Sequence, residues 1–163
     1  MTEKGKIEKA TAEYFIKQYN LKFQTSFKIN ELSDKPDILC VDNAGNNLNL
    51  EITLTEDNDG DIKALLGRSE HKSLEHVRQH GMGPASTLSS NVAEHAYHRI
   101  LAKISKNYGA NTALVVRDVS PLGWDWDTEK SKLAKKFENI FNPFDKGIWI
   151  LTTSSGTKIY KIL

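Results

Sequence analysis

Residues 36–55 read PDILCVDNAGNNLNLEITLT, and this stretch is the part of the chain that decides the fold. Its pattern predicts two strands, over 37–41 and 48–55, joined by the polar segment DNAGNN. Asn, Asp and Gly in that segment tolerate the positive φ angles that a hairpin turn requires. Leucine and isoleucine alternate with asparagine, glutamate and threonine along the second strand. We therefore expect one face of this hairpin to be buried and the other to carry polar side chains.

Helices and further strands are predicted on both sides of the hairpin. They are an amphipathic helix over 6–19 ending near Asn20, an irregular strand within 23–32, a helix over 91–108 with Asn91 as N-cap and Gly109 as its stop, a buried strand over 112–119, a helix over 128–141, and two closing strands over 147–154 and 158–163. The order helix, strands, helix, strand, helix, strands predicts an α/β fold with a mixed central sheet flanked by helices.

Composition bounds the class of protein. The 163 residues suit a single domain over 1–163, with a polar excursion at about 56–90. The formal net charge of +1 argues against a protein that coats nucleic acid through bulk charge, but it allows a basic strip beside an acidic centre. The only cysteine, Cys40, leaves no intramolecular disulfide. No apolar run has the length of a membrane span or signal peptide, so we expect a soluble cytoplasmic protein without membrane partners.

Two acidic residues lie on the predicted hairpin at positions where they can share a cation. Asp37 begins the first strand, and Glu51 lies on the polar face of the second. Paired strands are about 4.8 Å apart, so carboxylates on both can reach one divalent ion, together with the Ile52 carbonyl oxygen. The alternative is that the two acids form no metal site, because an Asp after Pro often caps a turn and a Glu on a polar strand face is usually solvated.

The dipeptide PD at 36–37 and the tripeptide EIT at 51–53 resemble the signature of the PD-(D/E)XK nuclease superfamily. The predicted order of elements is similar to that superfamily's restriction-endonuclease-like core, α-β-β-β-α-β, over residues 13–119. The resemblance implies a metal-dependent nuclease that hydrolyses phosphodiester bonds, with DNA favoured over RNA and Mg²⁺ or Mn²⁺ as cofactor. The metal ligands that it implies are Asp37, Glu51 and, through its carbonyl oxygen, Ile52.

The chain departs from this signature at Thr53, where the motif places a lysine. That lysine orients the attacking water or stabilises developing negative charge, and threonine cannot replace it. Some members of the superfamily supply the lysine from the next helix. On the predicted helix over 91–108, Lys103 lies at the edge of the apolar face and Lys106 points further towards solvent. Lys103 is therefore the first candidate and Lys106 the second, with a solvated basic helix face as the alternative.

Further site residues are expected on the two helices that flank the hairpin. Many members of the superfamily carry a glutamate on the first helix that helps to bind water at the metal, and Glu13 occupies that place; an ordinary surface glutamate is the alternative. His95 and Arg99 precede Lys103 at spacings of four along one flank of the next helix. We expect His95, Arg99 and Lys106 to contact the phosphate backbone of a nucleic acid.

Two other functions remain open. A nuclease-like module that has lost catalysis, as Thr53 indicates, would still bind nucleic acid. An interaction protein of a toxin or defence system, such as an immunity partner, would instead present its acidic residues to another protein. Dimerisation is common in the superfamily, and the basic helix or the C-terminal strands are the expected interface of a homodimer.

Two weaker signals lie elsewhere in the chain. His71, His76 and His80 lack the HExxH arrangement and have no cysteine nearby, so they favour a polar loop over a zinc site. Trp124 and Trp126 have the stacking surface that unpaired bases use, but packing of at least one of them into the core is favoured.

Overall fold

A computed structural model describes residues 2–55, 85–120, 124–154 and 156–163 of the chain, with side chains in the second helix from residue 92 onward. The helices and strands along these segments are α1 (Glu3–Phe23), β1 (Lys28–Leu32), β2 (Ile38–Val41), β3 (Asn47–Leu54), α2 (Ala85–Ile104), β4 (Thr112–Arg117), α3 (Trp126–Lys135), β5 (Ile148–Thr152) and β6 (Lys158–Lys161).

The strands form one six-stranded mixed sheet in the order β1-β2-β3-β4-β5-β6. Neighbours β3, β4 and β5 run parallel, and every other pair is antiparallel. All six residues of β4 are buried, as expected for a parallel strand covered on both faces. The predicted α/β class with a mixed sheet is therefore confirmed.

Helices cover both faces of this sheet. On one face, Phe15 of α1 shares a core with Leu50 and Ile52 of β3. On the other, Ile100 of α2 shares a core with Leu114 and other β4 residues, and α3 adds to the same cluster. Because strand side chains alternate between faces, the β3 residues that alternate with Leu50 and Ile52 face α2.

The predicted hairpin is confirmed with small shifts of its ends. Strands β2 and β3 pair antiparallel, and Gly45 in the turn has a φ of 85°. Asp42 holds that turn, since its Oδ1 accepts hydrogen bonds from the backbone N–H groups of Ala44 and Asn46. Asn and Gly at these positions therefore do what the pattern predicts.

The predicted helix boundaries are wrong at several ends. Helix α1 extends beyond Asn20, whose side chain instead donates to the Phe27 carbonyl and accepts from the Phe27 N–H, both at 3.0 Å. Asn91 lies inside α2 rather than at its N-cap, because the helix already begins at Ala85. The same helix ends five positions before Gly109, which has a φ of 91° in the following loop.

Most of the predicted polar excursion, residues 56–84, lies outside the described residues, as do His71, His76 and His80. Trp126 is fully buried, which confirms that at least one tryptophan packs into the core. Among the described residues, no helix is long and apolar enough to cross a membrane.

Candidate functional site

Asp37 and Glu51 are neighbours across the hairpin. The register pairs Ile38 with Leu50 and Leu39 with Asn49, so the next position in this ladder sets Asp37 opposite Glu51. Residues directly opposite in an antiparallel pair have Cβ atoms about 4.5–5.5 Å apart. Both side chains are buried, Asp37 at 7% and Glu51 at 4% exposure, beneath the layer that contains α2. The solvated alternative for Glu51 is therefore wrong.

The Asp37 carboxylate is held by the strand beside it. Its Oδ2 accepts a hydrogen bond of 2.8 Å from the backbone N–H of Ile52. The pKa of Asp37 is raised to about 7, chiefly by burial and also by the charges of Glu51 and Glu8, while the Ile52 hydrogen bond lowers it. Near neutral pH this carboxyl group is therefore present in both its protonated and its ionised form, and a cation bound beside it would displace the proton.

Glu51 has one oxygen engaged and one without a partner. Its Oε2 accepts a bond of 2.8 Å from Lys103 Nζ, in an ion pair whose side chains are 5% and 25% exposed for Glu51 and Lys103. Its Oε1 is buried without a hydrogen bond from any described residue. Buried carboxylate oxygens in folded proteins nearly always have a partner, so Oε1 marks a place where a donor or cation belongs.

Tyr108 lies beside this ion pair. Lys103 Nζ is 5.9 Å from the centre of its ring, and Lys35 Nζ is 5.2 Å from the same centre. The ring stacks on Phe144 at a centroid distance of 5.4 Å. Burial raises the pKa of the Tyr108 phenol, and the nearby carboxylates, chiefly Glu51, raise it further. The phenol therefore stays protonated at neutral pH.

A pocket of about 390 Å³ opens beside the acidic pair, between the N-terminal turns of α1, the end of β3 and the last turns of α2. Its lining consists of Glu3, Lys4, Ile7, Glu8, Asp37, Ile52, Thr53, Leu54, Arg99 and Lys103. Acidic and basic side chains both face this space, which suits a ligand made of a cation and an anionic group.

The structure brings together four of the expected residues in this lining and leaves three outside it. Asp37, Ile52, Arg99 and Lys103 line the pocket, and Glu51 is joined to it through Lys103. The residues outside the lining are Lys106 and Glu13, which are exposed, and His95, which is half-buried.

Glu8, and not the predicted Glu13, lies in the lining of the pocket. Five positions separate the two, which turns them about 140° apart around a helix, so they cannot face the same ligand. Glu8 lines the pocket, is half-buried and pairs with Lys4 at 3.7 Å. Burial raises its pKa, and the charge of Glu51 adds to that rise. The amphipathic pattern of α1 does not by itself show which glutamate of the helix lines the pocket.

Thr53, at the position where the motif has a lysine, lines the pocket but carries no charge. The ammonium group next to Glu51 belongs to Lys103 of α2. The sequence signal for Lys103 was its position at the edge of the apolar arc of that helix. Glu8, Tyr108 and Lys35 had no such signal, because each depends on tertiary contacts between segments far apart in the chain.

The donor set suits a hard divalent cation. Asp37 and Glu51 are carboxylates, the ligands that Mg²⁺ and Mn²⁺ prefer, and Glu51 Oε1 is without a partner. Within the described segments, no group of three or more His, Cys, Asp or Glu side chains converges on one point. Mg²⁺ is commonly held by only one or two protein carboxylates with waters and substrate phosphates, so two carboxylates suffice.

Comparison with known proteins adds no relative. No protein-family model, curated protein or solved structure matches this chain.

Proposed function

We propose that this protein is a metal-dependent nuclease of the PD-(D/E)XK type that hydrolyses phosphodiester bonds, with DNA favoured over RNA. The observation that carries the proposal is a buried carboxylate pair on facing strands, with a lysine ammonium 2.8 Å from Glu51 and an open pocket beside it. The order α1-β1-β2-β3-α2-β4 supports a restriction-endonuclease-like core. Each component matches a requirement of the chemistry.

Asp37, Glu51 and the Ile52 carbonyl are the groups that would hold Mg²⁺ or Mn²⁺. When bound, the metal supplies a Lewis acid for the phosphodiester and lowers the pKa of a coordinated water. The Ile52 N–H, bonded at 2.8 Å to Asp37, fixes the orientation of that carboxylate. Preorganised ligands of this kind lose little entropy when a cation arrives.

Lys103 takes the role of the lysine that Thr53 replaces. Its ammonium lies at the pocket lining, where it can orient the attacking water and stabilise the charge that develops on the phosphate. Glu8, which lines the pocket where Glu13 does not, would hold a metal-bound water through its half-buried carboxylate. Lys106 is exposed one turn beyond Lys103 and serves only as a distant positive charge.

The substrate phosphate binds at the basic edge of the same pocket. Arg99 lies in the lining one helical turn before Lys103, so both present positive charge towards it. His95, one turn earlier still, lies outside the lining and would meet the next phosphate along a strand. Arginine suits this task because its planar fork matches phosphate oxygens.

A nuclease-like module that binds nucleic acid without cutting it is the rival function. The observation that favours it is the Glu51–Lys103 ion pair, which neutralises Glu51 in the metal-free protein while Thr53 leaves the motif position without a cation. A catalytically inactive site of this kind would keep Arg99 and Lys103 for binding phosphate.

Cleavage assays separate the two functions. Supercoiled, linear and single-stranded DNA and RNA are incubated with Mg²⁺, Mn²⁺ or a chelator, for the parent and for Glu51→Gln. The proposal predicts metal-dependent cutting by the parent that is lost in Glu51→Gln, with Glu13→Gln as a matched control that still cuts. Binding of nucleic acid without cutting under every condition would establish the inactive module. A stable complex with one protein partner and no affinity for nucleic acid would favour an immunity-type protein.

A further inference from the structure

A lysine supplied by a helix lacks the support that a strand gives. The motif position at Thr53 lies on β3, whose backbone hydrogen bonds fix the direction of each side chain. Lys103 instead lies in the last turn of α2, one residue before the helix ends, and reaches the site on a flexible four-carbon chain. Its ion-pair partner, Glu51, is the carboxylate that a cation would share.

Tyr108 offers Lys103 a second contact that a cation would not take away. The Lys103 ammonium is 5.9 Å from the centre of the Tyr108 ring, within the range where a ring face attracts a cation. The attraction is stronger where water is excluded, and Tyr108 is only 8% exposed. The ring face thus adds a second attraction for the ammonium next to Glu51, in addition to the interaction of the Tyr108 hydroxyl with the Glu51 carboxylate.

The ring itself is fixed by the core. Tyr108 belongs to the buried cluster that includes Ile104 and Leu114, and it stacks on Phe144 with an interplanar angle of 23°. A side chain held in this way keeps one orientation whether or not a ligand is present.

We propose that Tyr108 is a positioning residue of this site, whose ring holds the Lys103 ammonium beside Glu51 and so allows a helix lysine to act in place of the strand lysine. The inference deepens the proposed nuclease function and rests on it for its catalytic consequence. The positioning itself is a property of the metal-free protein and can be tested without any cutting.

Lys35 provides a matched control for this contact. Its ammonium is 5.2 Å from the same ring centre, but Lys35 is exposed and the ion pair with Glu51 belongs to Lys103. Lys35→Ala therefore removes a cation from the ring without removing the ammonium from the acidic pair.

The direct test is the reactivity of Lys103 towards an amine-reactive ester, followed by mass spectrometry on the intact, metal-free chain. We expect Lys103 to react about fivefold to tenfold faster in Tyr108→Leu than in the parent, as loss of a partly desolvated cation–π contact implies. Tyr108→Phe keeps the ring and should protect Lys103 as the parent does, and so should Lys35→Ala. Equal reactivity in Tyr108→Leu and the parent would overturn the inference. Faster reaction in Tyr108→Phe would overturn it too, because the hydroxyl rather than the ring would then hold the lysine.

A kinetic measurement extends the test to the proposed reaction. If the protein cuts, Tyr108→Leu should lower kcat about tenfold with little change in KM, since a mispositioned lysine impairs the chemical step more than binding. Tyr108→Phe should restore the parent rate, and a rise in KM alone would overturn the positioning role. If Tyr108→Leu does not fold, Tyr108→Met takes its place, because methionine adapts to irregular core space. A protein that never cuts would contradict the nuclease proposal while the reactivity of Lys103 still decides the positioning.

Discussion

Asp118, one residue after β4, and Glu51, on β3, are both buried carboxylates, at 5% and 4% exposure, but their surroundings differ. Asp118 has both oxygens engaged: Oδ1 accepts from the Ser120 N–H at 2.8 Å, and Oδ2 accepts from Trp126 Nε1 at 2.9 Å. Glu51 has Lys103 on one oxygen and nothing described on the other. A fully bonded carboxylate has a structural task, whereas an incompletely bonded one beside a pocket is suited to a ligand.

The largest predicted effect is a loss of DNA cutting when Glu51 is substituted but not when Asp118 is. Glu51→Gln and Asp37→Asn should each lower the rate of DNA cutting by about 100-fold or more, because each removes a charge on which the transition state depends. Asp118→Asn should leave the cutting rate close to that of the parent but lower the free energy of unfolding by about 1–3 kcal/mol, because a bond to Trp126 or Ser120 is lost. Cleavage rates and chemical denaturation of the same three variants measure both effects.

The opposite pattern of effects would contradict the assignment of a structural task to Asp118 and a ligand-binding one to Glu51. Loss of cutting in a folded Asp118→Asn, together with retained cutting in Glu51→Gln, would show that hydrogen-bond satisfaction does not distinguish the sites. Circular dichroism of each variant at the assay temperature provides the control for folding.

Lys103→Ala sharpens the comparison, because the Lys103 ammonium donates a hydrogen bond of 2.8 Å to Glu51 Oε2. Cutting should fall by about 100-fold through loss of a preorganised charge. Mn²⁺ affinity, measured by calorimetry, should be unchanged or higher, since the ammonium no longer competes for Oε2. Lys106→Ala, on an exposed residue just beyond the same helix, is the matched control and should change neither quantity. Loss of both cutting and metal binding in Lys103→Ala would mean that the lysine supports the fold of the site instead.

The pH dependence follows from the raised pKa of Asp37. Its ordinary pKa is 3.8, and in the folded protein the pKa is about 7. Metal affinity should therefore rise by about tenfold per pH unit up to pH 7 and then level off, because a cation must displace the proton. Stability should move in the opposite direction: the contribution of Asp37 is full below its unfolded pKa and is lost as pH rises through about 7.

Asp37→Asn isolates this carboxyl group, since asparagine has no proton to lose. The free energy of unfolding of the metal-free parent, relative to that of Asp37→Asn, should fall between pH 4 and pH 8. A constant difference across that range would show that Asp37 titrates normally. Urea denaturation at several pH values is the measurement.

Glu8 and Glu13 form a smaller comparison within α1. Glu8→Gln should lower metal affinity or cutting by about tenfold, as loss of a group that holds the ligands of a metal site typically does. Glu13→Gln should have no effect, because Glu13 is exposed outside the pocket lining. Equal effects of the two substitutions would remove Glu8 from the site.

The smallest effect concerns the phosphate contacts. Arg99→Ala should weaken DNA binding about threefold to tenfold and reduce the slope of log affinity against log salt by about 1, as loss of one phosphate contact does. Lys106→Ala and His95→Ala should have less effect, since neither residue lines the pocket. Binding curves at several salt concentrations, with a catalytically inactive Glu51→Gln background, test this order.

The sequence predicts the hairpin and its acidic pair well because the information is local. Alternation in β3 fixes which side chains share a face, and a short turn fixes the register that sets Asp37 opposite Glu51. Lys103 could be predicted for a similar reason, since the apolar arc of α2 leaves this residue at the border between core and solvent.

Other features depend on contacts that no local pattern encodes. The alternation in β3 predicts one face of polar side chains, but α2 covers that face. Glu51 is therefore only 4% exposed. To select Glu8 over Glu13, one must know how α1 is oriented about its own axis when it packs against the sheet. Tyr108 reaches the ion pair from a loop whose path depends on Phe144, more than thirty positions later. Tertiary packing determines all three, and it overrides local preference.

The most direct test of the central claim is a crystal structure of the protein grown with Mn²⁺, with the anomalous signal used to locate the ion. We expect an anomalous peak within coordination distance of the Asp37 and Glu51 carboxylate oxygens, with Lys103 still beside the site. A structure in which Mn²⁺ binds elsewhere, while Lys103 remains the sole partner of a Glu51 carboxylate that coordinates no metal, would contradict it.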